Sequence, residues 1–310
     1  MSRPRVAITV GDPSGIGPEV AAAAAADPAV RDICEPVLYG PPPGQTFQAG
    51  RLSADAGRAA YEAIVRATAD AMRGSVDAVA TAPINKEALR LAGLPWSGHT
   101  DLLAHLTGAT HVAMMFHSDP LSVVLATVHV SLAEVPALLT QDLMEATITL
   151  TAKELPRFGR RSPRIAVAGL NPHAGEHGLF GREEETAISP AIAAARGRGI
   201  DVSGPFPADT IFVRAVRGEF DVVVACYHDQ GLIPVKLAAF GRAVNVTLGL
   251  PIVRTSVDHG TAFDIAGKGV ADAGSMVEAV RLAARLALAR NADMTTSSQR
   301  PQRSLRSNRT

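Results

Sequence analysis

Three histidines stand directly after apolar, strand-like runs: His129 in ATVHVSL, His173 in GLNPHAGE and His228 in ACYHDQG. Strand ends are where α/β enzymes place ligands. Imidazole suits zinc and other divalent transition metals, and three protein ligands leave one position open for a substrate. The same residues read also as three unrelated loop histidines, and the local pattern leaves both readings open. A second set is cationic and polar: His99 and Thr100 in SGHTD, Lys236 in IPVKLAAF, Asn245 in VNVTLG and Arg254 in IVRTSVDHG. A lysine for point charge, an arginine for a bidentate fork and an amide for orientation are what a phosphate monoester needs. Solvated surface charge is the plainer explanation. It is weakest for Lys236 and Arg254, which are embedded in apolar sequence where an unpaired charge is costly. Lysine otherwise occurs only as Lys86, Lys153 and Lys268 in this arginine-rich chain, and Lys236 is the strong candidate among them. His105, His111, His117 and His177 fit no motif and are expected on the surface or in packing.

The elements that must carry these residues alternate along the chain. Short apolar runs near 5–10, 36–39, 77–81, 111–116, 121–129, 164–169, 221–226 and 243–247 read as strands. Helical patterns fall near 56–73, 86–92, 142–156, 183–198 and 275–290. Alternation of this kind predicts an α/β fold with a largely parallel sheet. The segment ITVGDPSGIGPEV opens it as strand, tight loop and helix, with Pro18 at a first helical position and Glu19 in the first turn. Its glycines, Gly11, Gly15 and Gly17, match neither the dinucleotide fingerprint nor the phosphate loop. The loop therefore serves either a ligand or a simple chain reversal. YGPPPGQTFQAG must be a loop, because three successive prolines continue neither helix nor strand.

Composition excludes several function classes. The 310 residues are 47% hydrophobic, 19% charged and formally neutral, as in a soluble globular protein. Balanced charge lacks the electrostatic footprint of a nucleic-acid binder, and no apolar run approaches a membrane span. The N-terminus leads straight into a strand without the form of a signal peptide, so a cytoplasmic protein is expected. Cys34 and Cys226 form no paired motif and are expected as small buried hydrophobes.

The blocks GDPSGIGPEV, TAPINKEAL, SGHTDLLA, GLNPHAGEHGLFGREE, GPFPADT, YHDQGLIPVK and VNVTLGLPIVRTSVDHGTAFDIAGKGVAD resemble those of the PdxA family, the 4-hydroxythreonine-4-phosphate dehydrogenases. The first and last also resemble the isopropylmalate dehydrogenase superfamily. The resemblance spans most of the chain. It implies a two-domain isopropylmalate dehydrogenase-like fold with an active-site cleft between domains. Residues 1–95 with 246–293 would form the first domain, 96–245 the second with metal and dimer contacts, and 294–310 a disordered tail. It implies further that His129, His173 and His228 bind a divalent metal (zinc, magnesium or cobalt) at the interface of a homodimer. His99, Thr100, Lys236, Asn245 and Arg254 would contact substrate, and His259, Gly260, Thr261 and Asp264 would contact NAD or NADP. One departure stands out: the stretch LYGPPPGQTFQAGRLS is short for the family, which puts contacts from the outer edge of the first domain in doubt.

The reaction implied is hydride transfer from a secondary alcohol to the nicotinamide, followed by decarboxylation of the β-keto acid. A metal would act there as Lewis acid. Asp209 in PADT or Lys236 would be the catalytic base. The substrate implied is 4-hydroxythreonine 4-phosphate, with D-threonate or D-erythronate 4-phosphate as the alternative that shares every residue named. A terephthalate dihydrodiol dehydrogenase is set aside because Asn245 and Arg254 are kept. A non-catalytic metal- or small-molecule-binding protein on the same fold would not need the three residue sets together.

Overall fold

Runs such as IAVA at Ile165–Ala168 and VVVA at Val222–Ala225 are fully buried, the pattern of central strands covered on both faces. The computed structural model describes residues 3–298 and places these strands in one ten-stranded sheet of order β2-β1-β3-β10-β9-β4-β5-β8-β6-β7. The strands are β1 (Arg5–Thr9), β2 (Glu35–Tyr39), β3 (Ala78–Thr81), β4 (Ala113–His117), β5 (Ser122–Leu125), β6 (Ile165–Ala168), β7 (Val202–Phe206), β8 (Val222–Ala225), β9 (Val244–Leu248) and β10 (Val253–Ser256). β2, β1, β3 and β10 run parallel, as do β5, β8, β6 and β7. Between these blocks β9 and β4 pair antiparallel to each other and to their outer neighbours β10 and β5. The two parallel blocks therefore point in opposite directions. β1, β2, β3 and β10 come from the segments assigned to the first domain and β4 to β8 from the second, with β9 straddling residue 245.

The helices are α1 (Gly17–Ala26), α2 (Pro28–Arg31), α3 (Ala54–Met72), α4 (Lys86–Leu91), α5 (His99–Thr107), α6 (Val135–Leu138), α7 (Gln141–Glu154), α8 (Ser189–Gly197), α9 (Ala208–Val216), α10 (His228–Ala239) and α11 (Gly274–Ser298). Pro18 does lie at the start of α1, and Asp27, Ser53, Asn85 and Thr140 cap the following helices with side-chain oxygens. The C-terminal helix departs from expectation. No glycine or proline lies between Gly274 and Pro301, so nothing stops α11, and it continues through Ser298 where a tail from 294 was expected. The rest of that tail, 299–310, lies outside the described residues. Among the described residues no helix is long and apolar enough to cross a membrane. Cys34 and Cys226 are buried free thiols, and burial raises both pKa values.

The opening loop is filled by protein backbone. A Cβ on Gly11, whose φ is +67°, would lie 2.1 Å from the Pro83 carbonyl oxygen, and one on Gly15 would lie 2.8 Å from that of Thr261. Asp12 N and Ile16 N donate to those two carbonyls, at 2.9 Å each. The loop glycines thus let three chain segments meet in close contact.

Candidate active site

A cleft of about 620 Å³ lies across the antiparallel strands where the two blocks join. Its floor is one face of β4, β9 and β10. Alternation puts Met114 and Phe116, Asn245, and Arg254 and Ser256 on that face, with Phe116 and Ser256 both in register with Asn245. One wall is α10, which presents His228, Leu232 and Lys236 at four-residue intervals, hence on one side of the helix. Gln230 ties the start of this helix down: its Oε1 accepts from Cys226 N at 2.7 Å and its Nε2 donates to Gly169 O at 2.7 Å. A second wall is the N-terminus of α5. Gly98 is the N-cap, and Asp101 accepts from Gly98 N at 2.9 Å and from the Ser97 hydroxyl at 2.9 Å. This leaves His99 and Thr100 in the first turn, facing the cleft where helix N-termini favour anions.

Charge in the cleft is unbalanced. Arg254 is 2% exposed, and its guanidinium donates to the hydroxyls of Thr247 at 2.9 Å and Thr81 at 2.8 Å, with no carboxylate partner among the described residues. Burial lowers its pKa to about 9, which leaves it charged at neutral pH. Four buried polar atoms that line this space have no hydrogen-bond partner among the described residues: Arg254 Nε, His99 Nε2, Asn245 Oδ1 and His259 Nε2. Unsatisfied buried groups are rare in native proteins, and a concentration of them marks a place where another molecule supplies the bonds. Burial, with a smaller push from Arg254, holds the His99 pKa well below its usual value, so the imidazole is neutral. Lys236 Nζ is 3.8 Å from Asp258, which is also within 3.4 Å of the Ser275 hydroxyl. Lys86, first residue of α4, completes the cationic lining. Sequence assigned it no role, although it lies in the motif block TAPINKEAL, because only Lys236 stood out among the lysines.

His129 and His228 meet at the cleft rim with ring centroids 5.7 Å apart. Burial, then Lys86 and His228, lowers the pKa of His129, which favours the neutral, metal-ligating form. His228 Nδ1 is 2.7 Å from the Asp229 carboxylate, the kind of bond that fixes a tautomer and leaves Nε2 available. His173 is not brought to this pair. It lies in the turn Pro172–Gly175 beside Phe180, at 6.0 Å between centroids, and no group of three metal-ligating side chains forms within one chain among the described residues. The backbone is strained here: His129, His173, Ala174, Glu176 and His177 all have positive φ. Glu184, 3% exposed, accepts from Asn171 N at 2.7 Å and so anchors that turn. Of the dinucleotide candidates, His259 and Gly260 line the cleft, the Thr261 carbonyl is committed to Ile16, and Asp264 is exposed. Asp209 is exposed in the first turn of α9 and does not line the cleft.

Comparison with known proteins adds the decisive observation: the model of the family described as pyridoxal phosphate biosynthetic protein PdxA matches residues 18–283. The chain belongs to the PdxA family. It is 46% identical to a 4-hydroxythreonine-4-phosphate dehydrogenase of Geobacter metallireducens, over 92% of this chain and 96% of that protein. It is 45% identical to a D-threonate 4-phosphate dehydrogenase of Cupriavidus necator, over 93% of this chain and 98% of the other. The crystal structure of a 4-hydroxythreonine-4-phosphate dehydrogenase from Klebsiella pneumoniae superposes with a TM-score of 0.84 at 42% identity, covering 92% of this chain and 98% of that one. The alignment to the Geobacter protein spans 326 positions, more than the 310 residues of this PdxA member, so the relative carries residues that this chain lacks. Solved β-decarboxylating and isocitrate dehydrogenases share the architecture at 15% and 19% identity, a likeness of the fold alone. The PdxA relatives named are dehydrogenases of phosphorylated substrates, and this chain is an enzyme of that α/β family.

Proposed function

We propose that the chain oxidises the secondary hydroxyl of a phosphorylated four-carbon 3-hydroxy acid with NAD or NADP and a divalent metal, and that the β-keto product loses carbon dioxide. 4-Hydroxythreonine 4-phosphate is the first substrate, as in the Geobacter relative, and D-threonate 4-phosphate the alternative, as in the Cupriavidus one. The observation that carries the reading is Arg254, a buried guanidinium held by two hydroxyls with no carboxylate to neutralise it. A phosphate dianion supplies the missing charge and accepts from Nε. The α5 N-terminus with His99 and Thr100, the Asn245 amide and the Lys236 side chain surround the same volume and orient the substrate.

His129 and His228 would hold half of a metal centre, two imidazoles that face each other at the cleft rim. His173 would reach the ion from a second subunit. Leu132, Ile233, Leu237 and Phe240, large apolar residues close in sequence to the two rim histidines, are exposed at 66%, 58%, 84% and 80%, the surface of an interface in a homodimer. When bound, the metal is a Lewis acid that eases loss of the hydroxyl proton and holds negative charge on the carbonyl oxygen. Within one chain Lys236 stands at the cleft and Asp209 does not, so the amine form of Lys236 is the group assigned to receive that proton, with Asp258 3.8 Å away to hold the ammonium that results. His259 and Gly260 would lie against the dinucleotide, the unpaired His259 Nε2 offering it a hydrogen bond.

The test is reduction of NAD⁺ or NADP⁺ by the purified, metal-loaded protein, with 4-hydroxythreonine 4-phosphate, D-threonate 4-phosphate and their dephosphorylated forms side by side. Turnover confined to phosphorylated acids is expected, and the faster of the two names the substrate. Equal turnover without the phosphate would overturn the reading.

A further inference from the structure

A second cavity, of about 470 Å³, shares no lining residue with the cleft. It opens at the other end of the same strands. His117 closes β4, Ser122 opens β5 and Val222 opens β8, whereas His129 and His228 follow the far ends of β5 and β8. Three guanidinium groups converge on it: Arg160 and Arg164 from the loop before β6, and Arg285 from α11. They are not equivalent. Arg164 is committed, bidentate to the buried Asp221 at 3.1 and 3.2 Å and to the Gly218 carbonyl at 2.9 Å. Arg160 makes one long contact of 3.6 Å with Asp221. Arg285 makes no hydrogen bond or ion pair among the described residues, and Asp119 is the only lining carboxylate not tied to an arginine. His117 lies between, its Nδ1 2.8 Å from the Ser122 hydroxyl and its ring 5.1 Å from Phe158. Burial, then Arg285, lowers its pKa to about 4 against the opposing pull of Asp119, so the positive field comes from the arginines.

We propose that this cavity is a second anion site, distinct from the catalytic cleft, in which Arg160 and Arg285 hold the phosphate group of a small metabolite over His117 and Ser122. Arg285 is unpaired among the described residues and Arg160 is held only at 3.6 Å, so with Arg164 the three guanidinium groups outnumber the two lining carboxylates, Asp119 and Asp221, and leave net positive charge for an anion. The volume exceeds that of a bare phosphate and accommodates a monoester of a few carbons against Phe158. An occupant would tie α11 to the loop before β6. It would also sit one residue from Phe116, whose side chain forms the cleft floor.

Calorimetric titration of the full chain with glycerol 3-phosphate and, separately, with inorganic phosphate tests this. Wild-type protein is expected to bind at two sites per chain. Arg254→Met should remove the cleft site and leave the second. Arg285→Met and Arg160→Met, both changes of exposed side chains that leave the melting transition in place, should each weaken the second site at least tenfold and leave the cleft site unchanged. A single site per chain, lost in Arg254→Met and retained in Arg285→Met, overturns the proposal. So does two-site binding that survives in the Arg160→Met/Arg285→Met double variant.

Discussion

Arg254 shows how one residue can carry both a cost and a function. Placing a guanidinium in the sheet interior with only hydroxyls for company is unfavourable, and the phosphate of the proposed substrate would relieve it. Arg254→Met should lower kcat/KM for the phosphorylated acid by roughly 10- to 150-fold, the equivalent of about 1.5–3 kcal/mol for a charged hydrogen bond. Calorimetric affinity for the dinucleotide and metal content by elemental analysis should stay near wild type. Unchanged kcat/KM would remove the phosphate assignment. His117 and His99 give a second residue-scale expectation. Both have folded-state pKa values below the ordinary 6.5, His117 at about 4. As pH falls below 6.5 the unfolded chain takes up these protons first, so stability is full above that pH and declines below it. For His117 the decline runs down to about pH 4 at up to about 1.4 kcal/mol per pH unit. Melting temperatures measured between about pH 7.5 and about pH 5 should fall less steeply in His117→Gln. Sequence alone marked Arg254 and Lys236 because each is embedded in apolar residues, and His129, His173 and His228 because each follows an apolar run. It passed over Lys86, which lies in a motif block but stood out less than Lys236, and His117, whose burial comes from the arginine loop and α11 packed around it.

At the scale of elements, eight strands were legible as apolar runs and two were not. β10 is broken in sequence by Arg254 itself, and β7 contains Gly204 and Pro205, which read as a turn. α10 was hidden for a similar reason: Gly231 and Pro234 argue against a helix, yet Gln230 fixes its first turn to β8 and β6. In each case a tertiary contact overrides local propensity. The opening loop bears a sharp expectation. Gly11→Ala would put a Cβ against the Pro83 carbonyl at a positive φ, and should cost about 2–4 kcal/mol in urea unfolding. Pro83 lines the cleft, so substrate affinity should fall with it. A variant as stable as wild type would mean the loop is free to move aside.

For the whole molecule, the proposed metal site, completed by His173 from a second subunit, would tie metal binding to assembly. Sedimentation should give a dimer. Leu237→Asp, which buries a charge in the proposed interface, should yield monomers with reduced metal content, although Leu237 is no ligand itself. His173→Ala should lose metal while remaining dimeric. A monomeric Leu237→Asp protein with full metal content would show that one chain completes the site. The family resemblance made this arrangement readable as an expectation. The paired His129 and His228 and the separated His173 are what periodicity could not supply, because they depend on how distant strand ends meet.

The position of β10 has a consequence for how the protein is made. This strand lies in the middle of the sheet, between β3 and β9, yet it is the last strand in the chain. While the polypeptide is being synthesised, β3 and β9 each present an open edge until residues near 256 have left the ribosome. Such edges are templates for mispairing with other chains. Closure of the sheet is a late event that joins β3 to β10, the paired strands furthest apart in sequence, which favours slow folding. A nascent chain halted before Val253 should be trapped by chaperones or aggregate, while release of the remaining residues should be followed by cooperative acquisition of protease resistance.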